Sequence, residues 1–463
     1  MYRMGFLSED PKSDFPRTLA ITMVCAFFGL FAAVPLRKFF IIDLARELSL
    51  VFPTPAATAL AIRSMHAVGS GAHDATRRIK ALGFSFLGAL THIFVSQYAN
   101  GILHEWHLFT WSGYTNWAIN IESCGRYIQL TPAFFGSGVL VGLNAALSWF
   151  LGTVAAWGLI GPLLVHYGEC AGEQVGQGKW AELTSFNKLN DINKPGLLAR
   201  DRLCLPQHPF LSIYGGGVTD TAPLTASSKA SQLVYGGITK GNYRVADAQR
   251  INLIAGNIAS GCADVSNSLV CDFRVGFLLK TPPKYQFYAQ ALGALGALVS
   301  VFLAPGIFVL FMSAYPCVWR TDLSNEEVLR CPFKAPSVVA WQAVAQAVTA
   351  PKIPIPLSCT IFSIAMGAVS SLQAVVKNLY LVGSLAWVLG ADSGYANAIL
   401  FGSVTAWWWK KYFGTNFDTY AFSVAAGLIA GEGLGGVVNT VLTLGGVDGL
   451  IKGTLLGLPG EDW

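Results

Sequence analysis

Residues 34–66 read VPLRKFFIIDLARELSLVFPTPAATALAIRSMH, and the fold class turns on what this stretch can do. An apolar run over residues 18–35, long enough for a membrane, ends in Pro35 and the basic pair Arg37-Lys38. A second apolar run, Val51 to Met65, opens with Phe52-Pro53-Thr54-Pro55. As a helix rising ~1.5 Å per residue it reaches roughly 20 Å, short of a ~30 Å hydrocarbon core. Such a segment turns back or sits as a half-helix inside a bundle, because irregular backbone at membrane depth survives only against protein or a water-filled cavity. A further basic cluster, Arg77, Arg78 and Lys80, follows it. If both clusters face the cytoplasm, the piece between them cannot cross once.

Composition supports the membrane reading. Hydrophobic residues make up 53% of the 463-residue chain and charged ones 12%, against about a quarter charged in soluble domains. The mean hydropathy is +0.48. The expected fold is an all-α polytopic integral membrane protein with roughly ten to twelve membrane-embedded segments, re-entrant half-helices among them. The net charge of +5 comes from Lys and Arg in loops between apolar runs, which reads as a topology determinant and excludes a nucleic-acid patch. Forty-nine glycines suit closely approaching helix backbones. Nine cysteines without a CxxC imply neither a disulfide framework nor a metal site. Glu9, Asp10 and Asp14 before the first apolar run argue for a first membrane helix rather than a cleaved signal.

Along the chain, residues 1–170 form an N-terminal group of membrane helices with the re-entrant loop at 51–66. Residues 79–103 cross outward to an aromatic loop, His104-Glu105-Trp106-His107-Leu108-Phe109-Thr110-Trp111, suited to a membrane–water interface. The long, Gly-interrupted run 131–167 divides into a re-entrant half-helix and a full span. Residues 171–243 read as a hydrophilic cytoplasmic loop with a disordered tip at 215–231. A C-terminal group of membrane helices fills 244–457, and 458–463 is a tail. In that group, 251–271 is semi-polar and expected to face a bundle interior. Basic residues at both of its ends (Arg244 and Arg250, then Arg274, Lys280 and Lys284) conflict with one crossing.

Several blocks together resemble the oligopeptide transporter (OPT) family, its yellow stripe-like branch in particular. Val34-Pro35-Leu36-Arg37-Lys38, Ile42-Asp43 and Phe52 to Ala59 are similar to a VPLRK…IID…YPSGTATA signature. Asn144, Leu147 to Gly152 and Trp157 to Leu163 resemble NVSVLLG…SWGI..P. Asp272 to Leu278 with Gln290 resembles DFKTGYL and its downstream Gln; Phe333-Lys334-Ala335-Pro336 matches FKAP; Gly427 to Gly433 resembles GLICGDG. The resemblance implies a proton-coupled secondary transporter of oligopeptides or metal–chelate complexes in a eukaryotic plasma or vacuolar membrane, a possible homo-oligomer without a cofactor. This chain departs at Thr54-Pro55-Ala56, where the signature has Ser-Gly-Thr, and at Glu432, where it has Asp. It also lacks helices expected before Val34 and between the two central blocks. A truncated or degenerate relative without transport activity is therefore the alternative.

The candidate substrate-binding residues are Thr54, Pro55, Thr58 and Asn144: hydroxyls, an amide, and prolines that free carbonyls by interrupting a helix. The candidate proton-coupling acids are Asp264, Asp272 and Glu432, since a carboxyl in apolar surroundings can carry a proton. Asp272 is also placed for an ion pair with Arg274. His104-Glu105-Trp106-His107 is not HExxH, because Leu108 stands where the second His belongs; an interfacial aromatic loop is the plainer reading, against a transient metal contact. No Walker A sequence or catalytic constellation is present, so neither ATP-driven transport nor an intramembrane enzyme is supported.

Overall fold

The computed structural model describes residues 4, 6–7, 13–44, 52–66, 71–112, 121–167, 173–174, 184–185, 224–293, 296, 336–350, 393–447, 449–454 and 456–458. Within the expected C-terminal group of membrane helices, residues 351–392 and most of 285–314 lie outside the described residues, as does most of the 171–243 stretch up to residue 223. In chain order the main helices are α1 (Phe15–Arg37), α2 (Pro53–Met65), α3 (Gly71–Ser96), α4 (Pro132–Val141) and α5 (Leu143–Ala155). They are followed by α6 (Leu224–Thr239), α7 (Val245–Leu278), α8 (Pro336–Thr349), α9 (Ser393–Tyr412) and α10 (Gly414–Leu444). Strands are confined, among the described residues, to two short antiparallel ribbons, β1 (Glu105–Trp106) with β2 (Ile128–Gln129) and β3 (Glu173–Gln174) with β4 (Thr184–Ser185). Among the described residues, four helical stretches are long and apolar enough to cross a membrane: Phe15–Asp43, His73–Leu103, Leu143–Leu163 and Gly414–Leu444.

The chain divides into two compact units. The first contains α1, α6, α7 and α8. Here α1 lies along α7, close enough that the Ser266 hydroxyl donates to the Gly29 carbonyl at 2.9 Å. Helix α6 packs on α7 and α8. This helix is a correction: residues 224–239 belong to the stretch read as a loop. Its Ser and Gly content, taken as a sign of irregular chain, instead permits close packing. Ser228 and Gln232 are fully buried, the Gln232 amide donates to the Trp341 carbonyl at 3.2 Å, and the Asn252 amide donates to the Gln232 carbonyl. The semi-polar 251–271 segment lies within one 34-residue helix, α7, with Asn252 and Ser266 buried and Asn257 and Asp264 exposed.

The second unit holds α2, α3, α4, α5, α9 and α10. Its longest contact runs between α3 and α10. Gly427, Gly431 and Gly435, one turn apart on α10, bring its backbone against Ser85, Phe86 and Ile93 of α3. A Cβ at position 431 would fall 2.4 Å from the Phe86 carbonyl oxygen, so only glycine fits that approach. Two helices too short to cross, α2 with 13 residues and α4 with 10, both pack against α10. The half-helix plus span expected over 131–167 is present: α4 stops at Gly142, whose φ of +89 ends the helix, and α5 starts at the next residue. Apolar cores tie these pieces together, with Val139, Ala406, Ala421 and Ala425 between α4, α9 and α10, and Ala146, Trp149, Ala396 and Ile399 between α5 and α9.

Candidate functional site

Helix α4 begins with Thr131 in extended conformation and Pro132 in the first turn. Proline is suited there because its missing N–H would have no helical partner. The next residue does carry an N–H, and the Thr131 hydroxyl does not cap it: that hydroxyl is buried and bonds to nothing among the described residues. The partner comes from another helix. Glu432, just past the middle of α10, accepts the Ala133 N–H at Oε2 over 2.7 Å. Its side chain is partly buried. A carboxylate at a helix N-terminus gains both the orphan donor and the favourable end of the helix dipole. Glu432 sits near the centre of α10, a helix long enough to span, so the α4 terminus lies level with the middle of that helix.

A second polar cluster sits beyond the end of α3. The β1–β2 ribbon pairs Glu105 with Gln129 and Trp106 with Ile128, so that one face carries the polar pair and the other the apolar one. The Gln129 amide donates to Glu105 Oε1 at 3.2 Å. Next to it, buried His107 bonds through Nδ1 to Glu122 at 3.0 Å and has Glu105 3.8 Å from Nε2. Burial alone pushes the His107 imidazole down, but the carboxylates of Glu105 and Glu122 more than reverse this and hold it at about 9. Burial opposes ionisation of Glu105, yet His107 and Gln129 keep its carboxyl below the usual value. Burial pushes the neighbouring His104 down. His107 thus sits between two acids that favour its protonated form. Among the described residues, no group of three or more His, Cys, Asp and Glu is arranged to hold a metal ion.

Comparison with known sequences decides the family. The profile described as OPT oligopeptide transporter protein matches residues 2–195 and 209–443. The chain belongs to the OPT family. It is 21% identical to the "Probable metal-nicotianamine transporter YSL5" of Arabidopsis thaliana, with 95% of this chain and 73% of the relative aligned. It is 23% identical to the "Metal-nicotianamine transporter YSL2" of the same plant, over 91% of this chain and 74% of the relative. A "Putative oligopeptide transporter" of Saccharomyces cerevisiae is 28% identical over 50% of this chain, which is 32% of the yeast protein. The YSL5 alignment runs over 562 positions against a chain of 463 residues, so that relative carries sequence inside the aligned region that this chain lacks. These relatives are named as transporters, and this OPT chain is a polytopic integral membrane protein rather than an enzyme.

Within the OPT frame the motif residues divide between the two units. Thr54, Pro55, Thr58, Asn144 and Glu432 belong to the unit just described, whereas Asp264 and Asp272 lie on α7 in the other. Thr54 and Thr58 are exposed, and the Thr58 hydroxyl donates to the Thr54 carbonyl at 2.9 Å; Pro55 is buried. Pro53 and Pro55 do not interrupt a helix, as the sequence reading supposed. They stand in the first turn of α2, where no intrahelical donor is needed. Asn144 is exposed in the first turn of α5, whose main partner is α9. Asp272 does not pair with Arg274; its carboxylate accepts the Gln290 amide, and the Arg274 guanidinium lies over the rings of Phe52 and Phe277. The DFRVGFL block and the downstream Gln of the family pattern therefore meet in space. Glu122, Arg126 and Thr131 were missed, because the 112–131 segment has no periodicity; three charged or polar groups in a short aromatic stretch were the available signal.

Proposed function

We propose that this OPT-family chain is a proton-coupled secondary transporter that carries small peptides or metal–chelate complexes across a eukaryotic plasma or vacuolar membrane. The observation that carries the reading is the Glu432 carboxylate on the N-terminus of the half-helix α4. Protonating that carboxylate removes the charge that faces the helix dipole and loosens the tie between α10 and α4. A proton taken from one side would thus be linked to movement of a broken helix beside the substrate path, with Thr54 and Thr58, exposed on α2, as candidate substrate contacts. Family membership and the names of the relatives support the substrate class.

The test is uptake by reconstituted vesicles of a labelled dipeptide and of an iron–nicotianamine complex, with and without an inward proton gradient. The transporter reading expects gradient-stimulated uptake of one of them and loss of the stimulation in Glu432→Gln. A second reading, an OPT relative without transport activity, is favoured by the internal sequence that the plant relative has and this chain lacks. It expects correct insertion in the membrane with no flux of either compound.

A further inference from the structure

Beside the β1–β2 ribbon lies a cavity of about 280 Å³ that none of the candidate substrate-binding or proton-coupling residues lines, although Phe150 and Trp157 of the family blocks do. Its wall is aromatic: Trp106, Phe109, Tyr127, Phe150 and Trp157. Its single charged lining side chain is Arg126.

The guanidinium is built into place. A tight turn over residues 121–125, closed by the Gly125 N–H to the Glu122 carbonyl at 2.8 Å, delivers Arg126 to the cavity. Its Nη2 lies against the backbone of Gly158, where a Cβ would overlap it, so the glycine of the Trp157-Gly158 pair makes its seat. The bond it makes is a weak one, Nη2 to the Val154 carbonyl at 3.4 Å. No acid among the described residues pairs with it. The two nearby carboxylates, Glu105 and Glu122, are already engaged with His107, whose ring stacks on Tyr127 at 4.9 Å and so fixes one wall. Asn397 fixes another, donating from Nδ2 to the Tyr127 carbonyl at 3.3 Å. A half-buried planar cation with five donors, with no acid paired to it among the described residues and set in a box of rings, is suited to a carboxylate. The same cation disfavours a metal ion or an ammonium group, which the aromatic faces alone would attract.

We infer that this cavity binds the carboxylate of a small organic acid with a planar or apolar body, held end-on by Arg126 while the rings of Trp106, Phe109, Phe150 and Trp157 enclose the body. The volume suits one amino-acid unit, so within the transporter reading, on which this choice of ligand rests, the occupant is the C-terminal residue of a short peptide with an aromatic or aliphatic side chain. A chelate whose carboxylates are occupied by metal fits the site less well.

The experiment is calorimetric titration of the purified, detergent-solubilised chain with the dipeptide Ala-Phe and with its C-terminal amide. The expected result is binding of the acid roughly ten- to a hundred-fold tighter than the amide, the scale of a charge-assisted contact. Arg126→Gln should remove that difference, and Gly158→Ala should reduce it by pushing the guanidinium off its seat. Equal affinity of acid and amide for the unmodified chain would overturn the site without any variant having to fold, and so would binding of neither at millimolar concentration. Binding needs no flux, so the two readings fail separately. Discrimination of acid from amide in a chain that transports nothing would support the site and count against the transporter. Flux that proceeds equally for both would do the reverse.

Discussion

Glu432 Oε2 on α10 accepts the backbone N–H of Ala133 at the start of α4, at 2.7 Å, and this contact ties a spanning helix to a half-helix. Glutamine keeps an acceptor of the same shape but loses the charge facing the helix end. Glu432→Gln should therefore fold, with stability lowered by about 0.3–2 kcal/mol. Glu432→Ala leaves the Ala133 N–H without its partner and should cost about 1–3 kcal/mol. Thermal unfolding in detergent ranks the two. Equal midpoints for Gln and Ala would show that the carboxylate does not hold α4.

The α3–α10 contact predicts a sharp contrast between near neighbours. Gly431 meets the Phe86 carbonyl so closely that Gly431→Ala must move one helix backbone, at roughly 1–3 kcal/mol for overpacking. Gly433 has nothing within 4 Å of its would-be Cβ. Gly433→Ala should leave the unfolding midpoint unchanged or raise it slightly, since alanine is the better helix former. If both substitutions behave alike, α3 and α10 do not pack through this stripe.

The His107 cluster predicts a pH window for stability. Its imidazole titrates at about 9 in the fold against 6.5 for the free group. A raised pKa gives stability that is complete below 6.5 and is lost as pH climbs through 9. The Glu105 carboxyl is lowered from 4.5, so its contribution is present above 4.5 and lost on acidification. Their combined effect is greatest between about 4.5 and 6.5, and the His107 part changes by at most ~1.4 kcal/mol per pH unit. Unfolding midpoints from pH 4 to 10 should fall on both sides of that plateau. In His107→Gln the alkaline slope should disappear, and a slope that survives there belongs to another group.

What the sequence made legible follows from how local each signal is. Segment length against bilayer thickness identifies α2 as too short to cross, and glycine interruptions split 131–167 into α4 and α5. Those are properties of one segment at a time. The partner of Glu432 could not be read that way, because Ala133 has no distinguishing side chain and lies 299 residues away in the chain. Helix α6 was hidden for a related reason: Ser228 and Gln232 look soluble until α7 and α8 supply their partners. Arg126 was invisible because its meaning depends on the acids near it being already paired. Composition gives the membrane and the segment lengths; polar side chains in a bundle get their roles only from what the other helices bring.

The break between α4 and α5 yields the last prediction. Gly142 has φ +89 and ψ 158, a region of backbone space open to glycine almost alone. Nothing lies within 4 Å of where its Cβ would be, so a substitution there is opposed by backbone strain and not by a clash. Gly142→Ala should cost of order 1–3 kcal/mol. Asparagine tolerates the left-handed helical region but not this one, so Gly142→Asn should be no milder. The strain can be relieved by letting α4 run on into α5, which would carry the Ala133 end away from Glu432. Gly142→Ala combined with Glu432→Ala should then cost less than the two single losses added together, read from unfolding midpoints of all four proteins. Strict additivity would mean that the glycine break and the carboxylate tie act on α4 independently.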